Sequence, residues 1–474
     1  MSEWKKVKID FATIKLGDYI EPIKTTVADT GDKNPTVYGV TNKDGISQTG
    51  KPASKDISNY IVLEKDCFAF NPYRINVGSI GINDENLKGC VSPAYVVFKT
   101  KNGLLPKFLY FYLKSDYGIH LINWYGNRGG VRNALRYSDL CKIDIPDIRH
   151  LNQEKLLKTF SSASTRIDEL NKEIEKQKNY AKKLRQNILQ EAIEGKLTED
   201  WRKQHSVQKG DPDYDAEALF EQIQNEKYHT DLFAPNGAHA KKAKSVSSEP
   251  IRVTKKEKSL PPITEDEIPF GIPTGWKWVR LGEIIQEPPR NGYSPKAVDF
   301  ETPIKTLKLG AVTYGVFDPS EFKYINEKIP EDAYCWLKNG DFLIERSNSF
   351  EYVGICAIYT GKDNEFMYPD LLMRFRTAEI LLKEYIHSAL VSPFNREYFM
   401  ANAKGAQKTM PKINQECVVN TLIPLPPLAE QKEIVTRVEQ HLQTITQLET
   451  QIATRESTTK QLMQSILKDA FEER

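Results

Sequence analysis

Two stretches of this chain, one near the middle and one at the C-terminal end, repeat the same pattern of apolar and polar residues. When Gln153 is aligned with Gln431, the two patterns stay in step without a gap. The matched positions are Ile145-Pro146 with Ile423-Pro424, Ile167 with Ile445, Leu170 with Leu448, Ile174 with Ile452, Leu184 with Leu462, and Ile188-Leu189 with Ile466-Leu467. A self-match of this extent predicts two copies of one structural unit.

The apolar residues of each copy recur at intervals of three and four, which is the heptad spacing of a helix that packs along one stripe. The other copy is the obvious partner, although a helix packed on its own domain would show similar spacing. Prolines at Pro146 and Pro424 precede the two stretches, as expected where an extended segment stops before a helix starts. The predicted seam comprises Ile167, Leu170, Ile174, Ala181, Leu184 and Ile188 in the first helix and Ile445, Leu448, Ile452, Leu462 and Ile466 in the second.

The remaining parts of the chain carry short strand-like runs, such as Tyr60-Ile61-Val62-Leu63, broken by glycine, asparagine and proline turns. They predict globular domains of the mixed α/β (α+β) class. After Trp201 the composition becomes polar, which indicates a mostly flexible linker with one short helix near residues 216–227. The predicted order is a first globule at 1–149, a central helix at 150–201, a polar linker at 202–268, a second globule at 269–424 and a distal helix at 425–474.

Short echoes link the two predicted globules. Leu281-Gly282-Glu283 echoes Leu16-Gly17-Asp18 at the start of each globule. The further echoes are Val353-Gly354 with Val77-Gly78 and Phe375-Arg376-Thr377 with Phe98-Lys99-Thr100. Because the helices repeat closely while most residues of the globules differ, we expect a common scaffold that carries two different recognition surfaces.

Composition sets outer limits on this picture. A chain of 474 residues exceeds what one hydrophobic core usually supports, so two or three domains are expected. The 66 basic and 64 acidic residues nearly balance, so any nucleic-acid surface must arise from local clustering. The six cysteines and seven histidines form no group with ligand spacing, which predicts reduced thiols, a cytoplasmic location and no structural zinc. No apolar run approaches twenty residues, so secretion and membrane insertion are not expected.

The approaches to the two helices resemble those of a known family. The run from Ile423 to Gln431 enters a heptad helix, follows Gly405-Ala406-Gln407, and is similar to the distal scaffold of type I restriction-modification specificity subunits. The central copy, which ends in Glu194-Gly195-Lys196-Leu197-Thr198, resembles the central scaffold of that family. The order of parts matches over nearly the whole chain, but the resemblance is specific only in the helices and their approaches. Two features depart from it, namely Asp147-Ile148-Arg149-His150 in the central copy and the long linker.

The resemblance implies a non-catalytic subunit of a bacterial, cytoplasmic defence system against phage. In that family two target-recognition domains lie at opposite ends of an antiparallel coiled coil. Each domain reads one half of a bipartite, asymmetric site in double-stranded DNA. Two modification subunits bind S-adenosylmethionine and methylate adenine, and restriction subunits that use ATP and magnesium cleave DNA. The resemblance implies no cofactor bound by this chain itself.

Three runs come close to enzyme motifs and lack a defining residue. The run from Gly45 to Lys51 matches a phosphate-binding loop, but Pro52 replaces the serine or threonine that should reach magnesium. Asn71-Pro72-Tyr73-Arg74 lacks the second proline of the adenine methyltransferase motif, and no glycine-rich cofactor loop precedes it. Asp370 has no Glu-x-Lys downstream to complete a metal-dependent nuclease site. We therefore expect catalysis to reside in partner subunits.

Base reading needs Arg, Lys, Asn or Gln on loops that reach the groove edges, together with aromatic and basic side chains that position the backbone. In the first globule the segment around Gly129-Gly130 is the stronger of two candidates because three arginines crowd it, although ordinary surface arginines would look the same. Matching places and a third loop occur in the second globule. The candidate DNA-binding residues are Tyr73, Arg74, Asn76, Tyr125, Asn127, Arg128, Arg132, Asn133, Arg136, Arg290, Asn291, Tyr293, Arg346, Ser347, Asn348, Lys404, Gln407, Lys408 and Lys412.

Three functions remain open at this point. The leading interpretation is a DNA sequence-specificity subunit that also scaffolds methyltransferase and restriction subunits. The alternative is a coiled-coil adaptor that presents two protein-binding domains and makes no DNA contact. A self-contained enzyme acting on nucleic acid is the third, and the missing catalytic motifs argue against it.

Overall fold

A computed structural model describes most of the chain, namely residues 12–32, 34–48, 56–126, 134–233, 260–404 and 410–472. The chain divides into two compact units. Unit 1 consists of Met1–Gln177 together with Gln451–Arg474, and unit 2 consists of Lys178–Thr450. Each of the two long helices contributes one part to each unit.

In the described part of unit 1 the chain forms ten strands, two of which pair where the chain enters and leaves the globule. The strands are β1 (Thr13–Lys15), β2 (Ile20–Pro22), β3 (Val37–Thr41), β4 (Gly45–Gln48), β5 (Ile61–Val62), β6 (Phe68–Phe70), β7 (Ile80–Ile82), β8 (Cys90–Val91), β9 (Val96–Thr100) and β10 (Asp144–Pro146). The helices are α1 (Val27–Thr30), α2 (Pro106–Lys114), α3 (Asp116–Gly126), α4 (Tyr137–Leu140) and the long α5 (Gln153–Ile193), with 3-10 turns at Leu16–Tyr19 and Ile75–Val77. Two four-stranded sheets have the orders β2-β9-β6-β7 and β4-β3-β8-β5, and β1 pairs antiparallel with β10.

Unit 2 repeats this plan. Its strands are β11 (Lys277–Arg280), β12 (Ile285–Asn291), β13 (Ala297–Val298), β14 (Ile304–Leu307), β15 (Phe322–Ile325), β16 (Phe342–Glu345), β17 (Cys356–Ile358), β18 (Phe366–Met367), β19 (Leu372–Thr377) and β20 (Leu422–Leu425). Its helices are α6 (Glu199–Arg202), α7 (Ala216–Phe233), α8 (Leu281–Ile284), α9 (Lys383–Val391), α10 (Pro393–Asn402), α11 (Gln415–Val419) and the long α12 (Leu428–Glu472), with 3-10 turns at Lys196–Thr198, Glu265–Glu267 and Leu309–Ala311. The sheet orders are β12-β19-β16-β17 and β13-β15-β14-β18, and β11 pairs antiparallel with β20.

The predicted echoes correspond to equivalent places in the two units. In unit 1 the ring of Phe68 on β6 stacks on that of Phe98 on β9, with ring centroids 4.7 Å apart. In unit 2 the ring of Phe342 on β16 stacks on that of Phe375 on β19, with centroids 4.9 Å apart. Such cross-strand aromatic pairs fix strand register on a buried face. The prediction that the globules share one plan is confirmed at these positions.

A second echo has a steric cause. A Cβ placed on Gly17 would lie 2.9 Å from the Cβ of Cys141, and one placed on Gly282 would lie 3.0 Å from the Cβ of Val419. Both glycines follow a fully buried leucine and allow the chain to approach the short helix that precedes the closing strand. Any larger residue would push that helix away, because contacts this short are repulsive.

The two long helices run antiparallel within each unit. In unit 1, Phe160 of α5 is buried in the core of the globule with Ile466 of α12 packed at its edge, and Gln177 meets Arg455. In unit 2, Arg185 of α5 pairs with Glu449 of α12 at 3.0 Å, and Asp200 pairs with Arg437. In both units, contacts that lie further towards the C-terminus of α5, or just beyond it, lie further towards the N-terminus of α12. The helices therefore pack on each other and also on their own globules.

The buried stripe is narrower than the predicted seam, which needs correction. Ile174, Ala181, Ile188, Ile445 and Ile452 are buried, one per heptad, while Ile167 and Ile466 are half-buried. Leu170, Leu184, Leu448 and Leu462 are between 42% and 45% exposed. Only one of the two apolar residues in each heptad is therefore buried, and the second lies at the edge of the contact, partly open to solvent.

The predicted linker also needs correction, because residues 199–227 fold onto unit 2. Ala216, Leu219 and Ile223 form a buried stripe on α7 with helical spacing. The backbone N–H of Ala216 donates to Gly275, and the side chain of Gln224 donates to the carbonyl of Glu283. Residues 260–268 are ordered as well, and residues 234–259 lie outside the described part of the chain. The short helix predicted near residues 216–227 is present as α7, but the polar composition did not reveal that its apolar stripe of three residues packs on the globule of unit 2.

A buried carboxylate joins the end of α5 to the start of α12 in unit 2. Glu430 is almost fully buried and accepts hydrogen bonds from the hydroxyl of Thr198 and the indole N–H of Trp276, both at 2.7 Å. The guanidinium of Arg202 forms an ion pair with the same carboxylate and donates to the carbonyl of Gly195. This network connects the 3-10 turn after α5, the entry to the second globule and α12.

All six cysteines are free thiols. Five are buried and Cys141 is half-buried. Among the described residues no group of three or more His, Cys, Asp or Glu side chains could hold a metal ion. Where the structure describes the chain, no helix is both long enough and apolar enough to cross a membrane.

Candidate nucleic-acid interface

The first candidate surface is built around a tight turn that follows β6 in unit 1. The side-chain oxygen of Asn71 accepts a hydrogen bond from the backbone N–H of Tyr73 at 3.0 Å. The backbone carbonyl of Asn71 accepts one from the backbone N–H of Arg74, also at 3.0 Å. Ile75 is buried and anchors the turn, while Gly78 closes it in the left-handed region at φ +82°. The turn therefore presents Tyr73 and Arg74 to solvent and leaves Asn76 half-buried.

A second segment of unit 1 is joined to this turn by the backbone. The N–H of Leu135 donates to the carbonyl of Pro72 at 3.0 Å. This bond places exposed Arg136 near the turn, whereas Tyr125 lies half-buried against the core. The candidates Asn127, Arg128, Arg132 and Asn133 lie outside the described residues.

Unit 2 builds the same junction from different residues. The turn after β16 begins at Arg346, whose carbonyl accepts the N–H of Ile413 at 3.0 Å, as Pro72 accepts that of Leu135. The predicted correspondence between these two pairs of loops thus matches the backbone hydrogen bonds. The candidates Gln407 and Lys408 lie outside the described residues.

Two lysines face one another at this junction. Lys404 and Lys412 exchange both backbone hydrogen bonds at 2.9 Å, and both are exposed. Residues paired in this way point their side chains to the same face, about 5.5 Å apart at Cα. Like charges placed directly opposite destabilise a sheet. An anion such as a DNA phosphate would offset that repulsion.

Several other candidates in unit 2 are held by protein contacts. Arg346 donates to the carbonyl of Asp370 at 3.3 Å, the phenol of Tyr293 donates to Glu327, and the guanidinium of Arg290 lies 3.5 Å from the ring centroid of Tyr334. Asn291 is half-buried, and its side-chain oxygen has no partner among the described residues. These side chains could contact DNA only after giving up or sharing such contacts.

Ser347 is a correction to the predicted set. Its side chain is fully buried beneath the bridge that its backbone forms with Lys412, so it cannot reach a base edge. The position of one small polar residue within a turn depends on tertiary packing, and local sequence does not report it.

Sequence reasoning missed two charged side chains, one buried and one half-buried, that support the unit 2 turn. The carboxylate of Glu345 is fully buried and accepts from the hydroxyl of Thr313 and the amide of Asn348, each at 2.7 Å. Burial raises the pKa of this carboxyl. Arg396 donates to the carbonyls of Val353 and Glu351 at 2.7 and 2.9 Å, and burial lowers its pKa. Both side chains shape the loop and neither is free to bind a ligand.

An exposed aromatic residue was also missed in unit 1. Trp124 is exposed on α3, the helix that packs on the Ile75–Val77 turn. The signal was present in the sequence, since Trp124 directly precedes the candidate Tyr125. Aromatic side chains beside basic residues are frequent in nucleic-acid surfaces.

Comparison with known proteins gives concordant matches. The family model for the type I restriction modification DNA specificity domain matches residues 273–455. The specificity subunit of the Escherichia coli type I restriction enzyme EcoEI is 28% identical over 281 residues, which cover 58% of this chain and 42% of that protein. The EcoKI specificity subunit of Escherichia coli strain K12 is 25% identical over 338 residues, 70% of this chain and 57% of that protein. This chain thus spans about half the length of these relatives.

A solved chain from work on complex assembly and conformational transition of the type I R-M system aligns over 98% of this chain and 99% of its own length. The TM-score is 0.60 and the sequence identity is 17%. This likeness establishes the shared fold of two sheet-rich domains with long helices.

Proposed function

Since the chain belongs to the family of type I restriction-modification specificity subunits, we propose that it selects the DNA site on which a modification and restriction complex acts. Residues 1–149 would read one half of a bipartite, asymmetric site, and residues 269–424 would read the other half. The observation that carries this proposal is the equivalent pair of loops in the two units. In each unit, a carbonyl of the first loop accepts a backbone N–H from the second loop. The exposed residues around this hydrogen bond differ between the two units.

The chain itself supplies recognition and no catalysis in this proposal. In the cytoplasm, two modification subunits would bind S-adenosylmethionine and methylate adenine, and restriction subunits would use ATP and magnesium to cleave DNA. The paired helices α5 and α12 would dock the modification subunits. An adaptor role without DNA contact is not favoured, because the matched relatives are DNA-specificity subunits.

The direct test is to co-express this chain with its modification subunit in a host without other DNA methylation and to map N6-methyladenine across the genome. A single split motif, with two defined halves and a fixed unspecified gap, is the expected result. A complex that assembles and yet creates no new methylated motif would contradict the proposal.

We predict that Lys404 and Lys412 bind phosphates of the DNA backbone, and substitution of both lysines tests this. Replacing both with glutamine should weaken binding to specific and unrelated duplexes alike, because phosphate contacts carry no sequence information. The slope of log affinity against log salt should fall by about 2, roughly 1 per lysine.

The matched control replaces Lys209 and Lys338 with glutamine, which removes the same charge from unit 2. Both lysines are exposed, and Lys338 precedes β16, whereas the Arg346 turn follows it. This control should leave the salt slope unchanged in filter-binding or fluorescence titrations from low to moderate salt. A loss confined to one sequence in the Lys404 and Lys412 variant would instead indicate base contacts.

A further inference from the structure

The connection between two paired strands differs sharply in size between the units. In unit 1, β3 pairs antiparallel with β4 and parallel with β8, and residues 42–44 join β3 to β4. In unit 2, β14 pairs antiparallel with β15 and parallel with β18, so it is the equivalent of β3. Here residues 308–321 form the connection. Unit 2 therefore carries a loop for which unit 1 has only a tight turn.

This longer loop is anchored at its base. Ala311 and Val312 are fully buried, and Phe317 packs against the core of unit 2. Gly315 adopts φ +74° and donates its N–H to the carbonyl of Val312 at 2.9 Å, which turns the chain outward between the anchors. A loop fixed at both ends in this way has a defined position relative to the sheet.

The tip of the loop exposes two apolar side chains. Tyr314 is 83% exposed and Val316 is 72% exposed, more than any other large apolar side chain whose exposure the structure describes. Single exposed apolar residues are common on protein surfaces, but here the two most exposed ones lie two residues apart on one anchored loop. Contact with another molecule would cover the side chains of Tyr314 and Val316.

The loop lies beside the candidate DNA-binding turn of unit 2. Thr313 and Asn348 both donate to the carboxylate of Glu345, so the residues next to Tyr314 and the turn that begins at Arg346 meet at one buried group. Gly315 also lies beside the first residue of β17, because a Cβ on Gly315 would be 3.8 Å from the carbonyl oxygen of Cys356. Unit 1 places its shorter connection in the same position. A Cβ on Gly78 of its turn would be 2.6 Å from the side-chain oxygen of Asn42.

The surroundings distinguish between two kinds of partner. The turn that shares Glu345 with this loop begins at Arg346, and its Ser347 bridges to Lys412, which pairs with Lys404, so the turn beside the loop carries several cations. Lysine is depleted in the cores of protein interfaces. Apolar side chains flanked by cations instead suit the DNA major groove, where thymine presents a methyl group beside the phosphates.

We propose that Tyr314 and Val316 form a thymine-reading contact in the half-site recognised by unit 2, with the exposed apolar tip of the 308–321 loop covering one thymine methyl group. This inference rests on the proposed DNA-specificity function and assigns one of its readout elements. It also makes the two halves of the site differ in chemistry, because unit 1 has no such tip in its described residues 42–44.

The experiment uses the assembled complex and duplexes that contain the mapped motif. Each thymine in both halves is replaced, one at a time, by deoxyuridine, which removes only the methyl group. For the unaltered protein, one position in one half should lose about three- to fivefold in affinity, the value of one buried methyl-sized group. In Tyr314→Ala or Val316→Ala, affinity for the normal duplex should fall, and deoxyuridine at that position should cause no further loss.

Phe300→Ala is the matched control, since Phe300 is another exposed aromatic residue of unit 2 but precedes β14 and thus lies at its opposite end. It should keep the full deoxyuridine effect. A complex whose motif is clear but insensitive to every deoxyuridine would overturn the inference and leave the specificity function intact. The same deoxyuridine loss in the Tyr314 and Val316 variants, or failure of those variants to bind the modification subunit, would also overturn it. No motif at all would overturn the proposed function as well.

Discussion

Replacing Glu430 with alanine is expected to lower the free energy of unfolding of unit 2 by about 3 to 5 kcal/mol, the usual effect of removing one partner from a buried ion pair. The carboxylate is buried and receives three donors, from Thr198, Arg202 and Trp276. Without it, the indole N–H of Trp276 loses its acceptor, and the guanidinium of Arg202 keeps hydrogen bonds to Gly195 and Thr198 but loses its carboxylate partner. Urea unfolding followed by tryptophan fluorescence would measure the change.

Glu433→Ala is the matched control for this experiment. Glu433 lies one turn further along α12 and pairs with Arg437, a partly solvated i,i+4 contact. Such pairs contribute about 0.3 to 0.5 kcal/mol. Equal and small losses in both variants would show that the Glu430 network does not stabilise the joint between α5, α12 and the second globule.

The second large effect is expected from Ile445→Asp. Ile445 is fully buried between the helices of unit 2, so the new carboxylate would lose its hydration and gain no partner. We expect a loss of about 4 kcal/mol or more, in the range of the most damaging single substitutions. Thermal unfolding of the purified chain and its co-purification with the modification subunit would both report it.

Leu448→Asp provides the comparison three residues along the same helix. Because Leu448 remains 42% exposed, its carboxylate would stay hydrated and the cost should be roughly 1 kcal/mol or less. Similar large losses at both positions would indicate that the buried seam contains two residues per heptad, as the heptad pattern first predicted.

The parts of this molecule that repeat were predictable from sequence, and the parts that differ were not. The heptad positions and the Leu-Gly echo at Gly17 and Gly282 recur because two copies obey the same packing constraints. The helix near residues 216–227 was predicted but its packing was not, because α7 packs through only three apolar residues, too few to stand out in a polar stretch. Periodicity also could not tell Ile445 from Leu448, since both lie on the apolar side of α12.

In the candidate interface, too, some features were predictable from the sequence and others were not. Comparing the two halves of the sequence predicted that the loops around Arg74 and Arg346 correspond, and in each unit a carbonyl of that loop accepts one backbone N–H from the second candidate loop. It did not reveal that unit 1 fixes its turn with the amide of Asn71 while unit 2 uses the buried carboxylate of Glu345. Which polar side chain points inward, as Ser347 does, depends on neighbours that are distant in sequence.

The burial of five thiols and the partial burial of Cys141 have a practical consequence for following the protein in solution. Burial raises the pKa of every cysteine, to about 12 at Cys67 and about 11 at Cys335 and Cys417, so few thiolates exist at neutral pH. Only the thiolate reacts readily with maleimides. A single cysteine introduced at an exposed helix position such as Leu184 could therefore carry a fluorophore selectively, and none of the native cysteines would need to be removed.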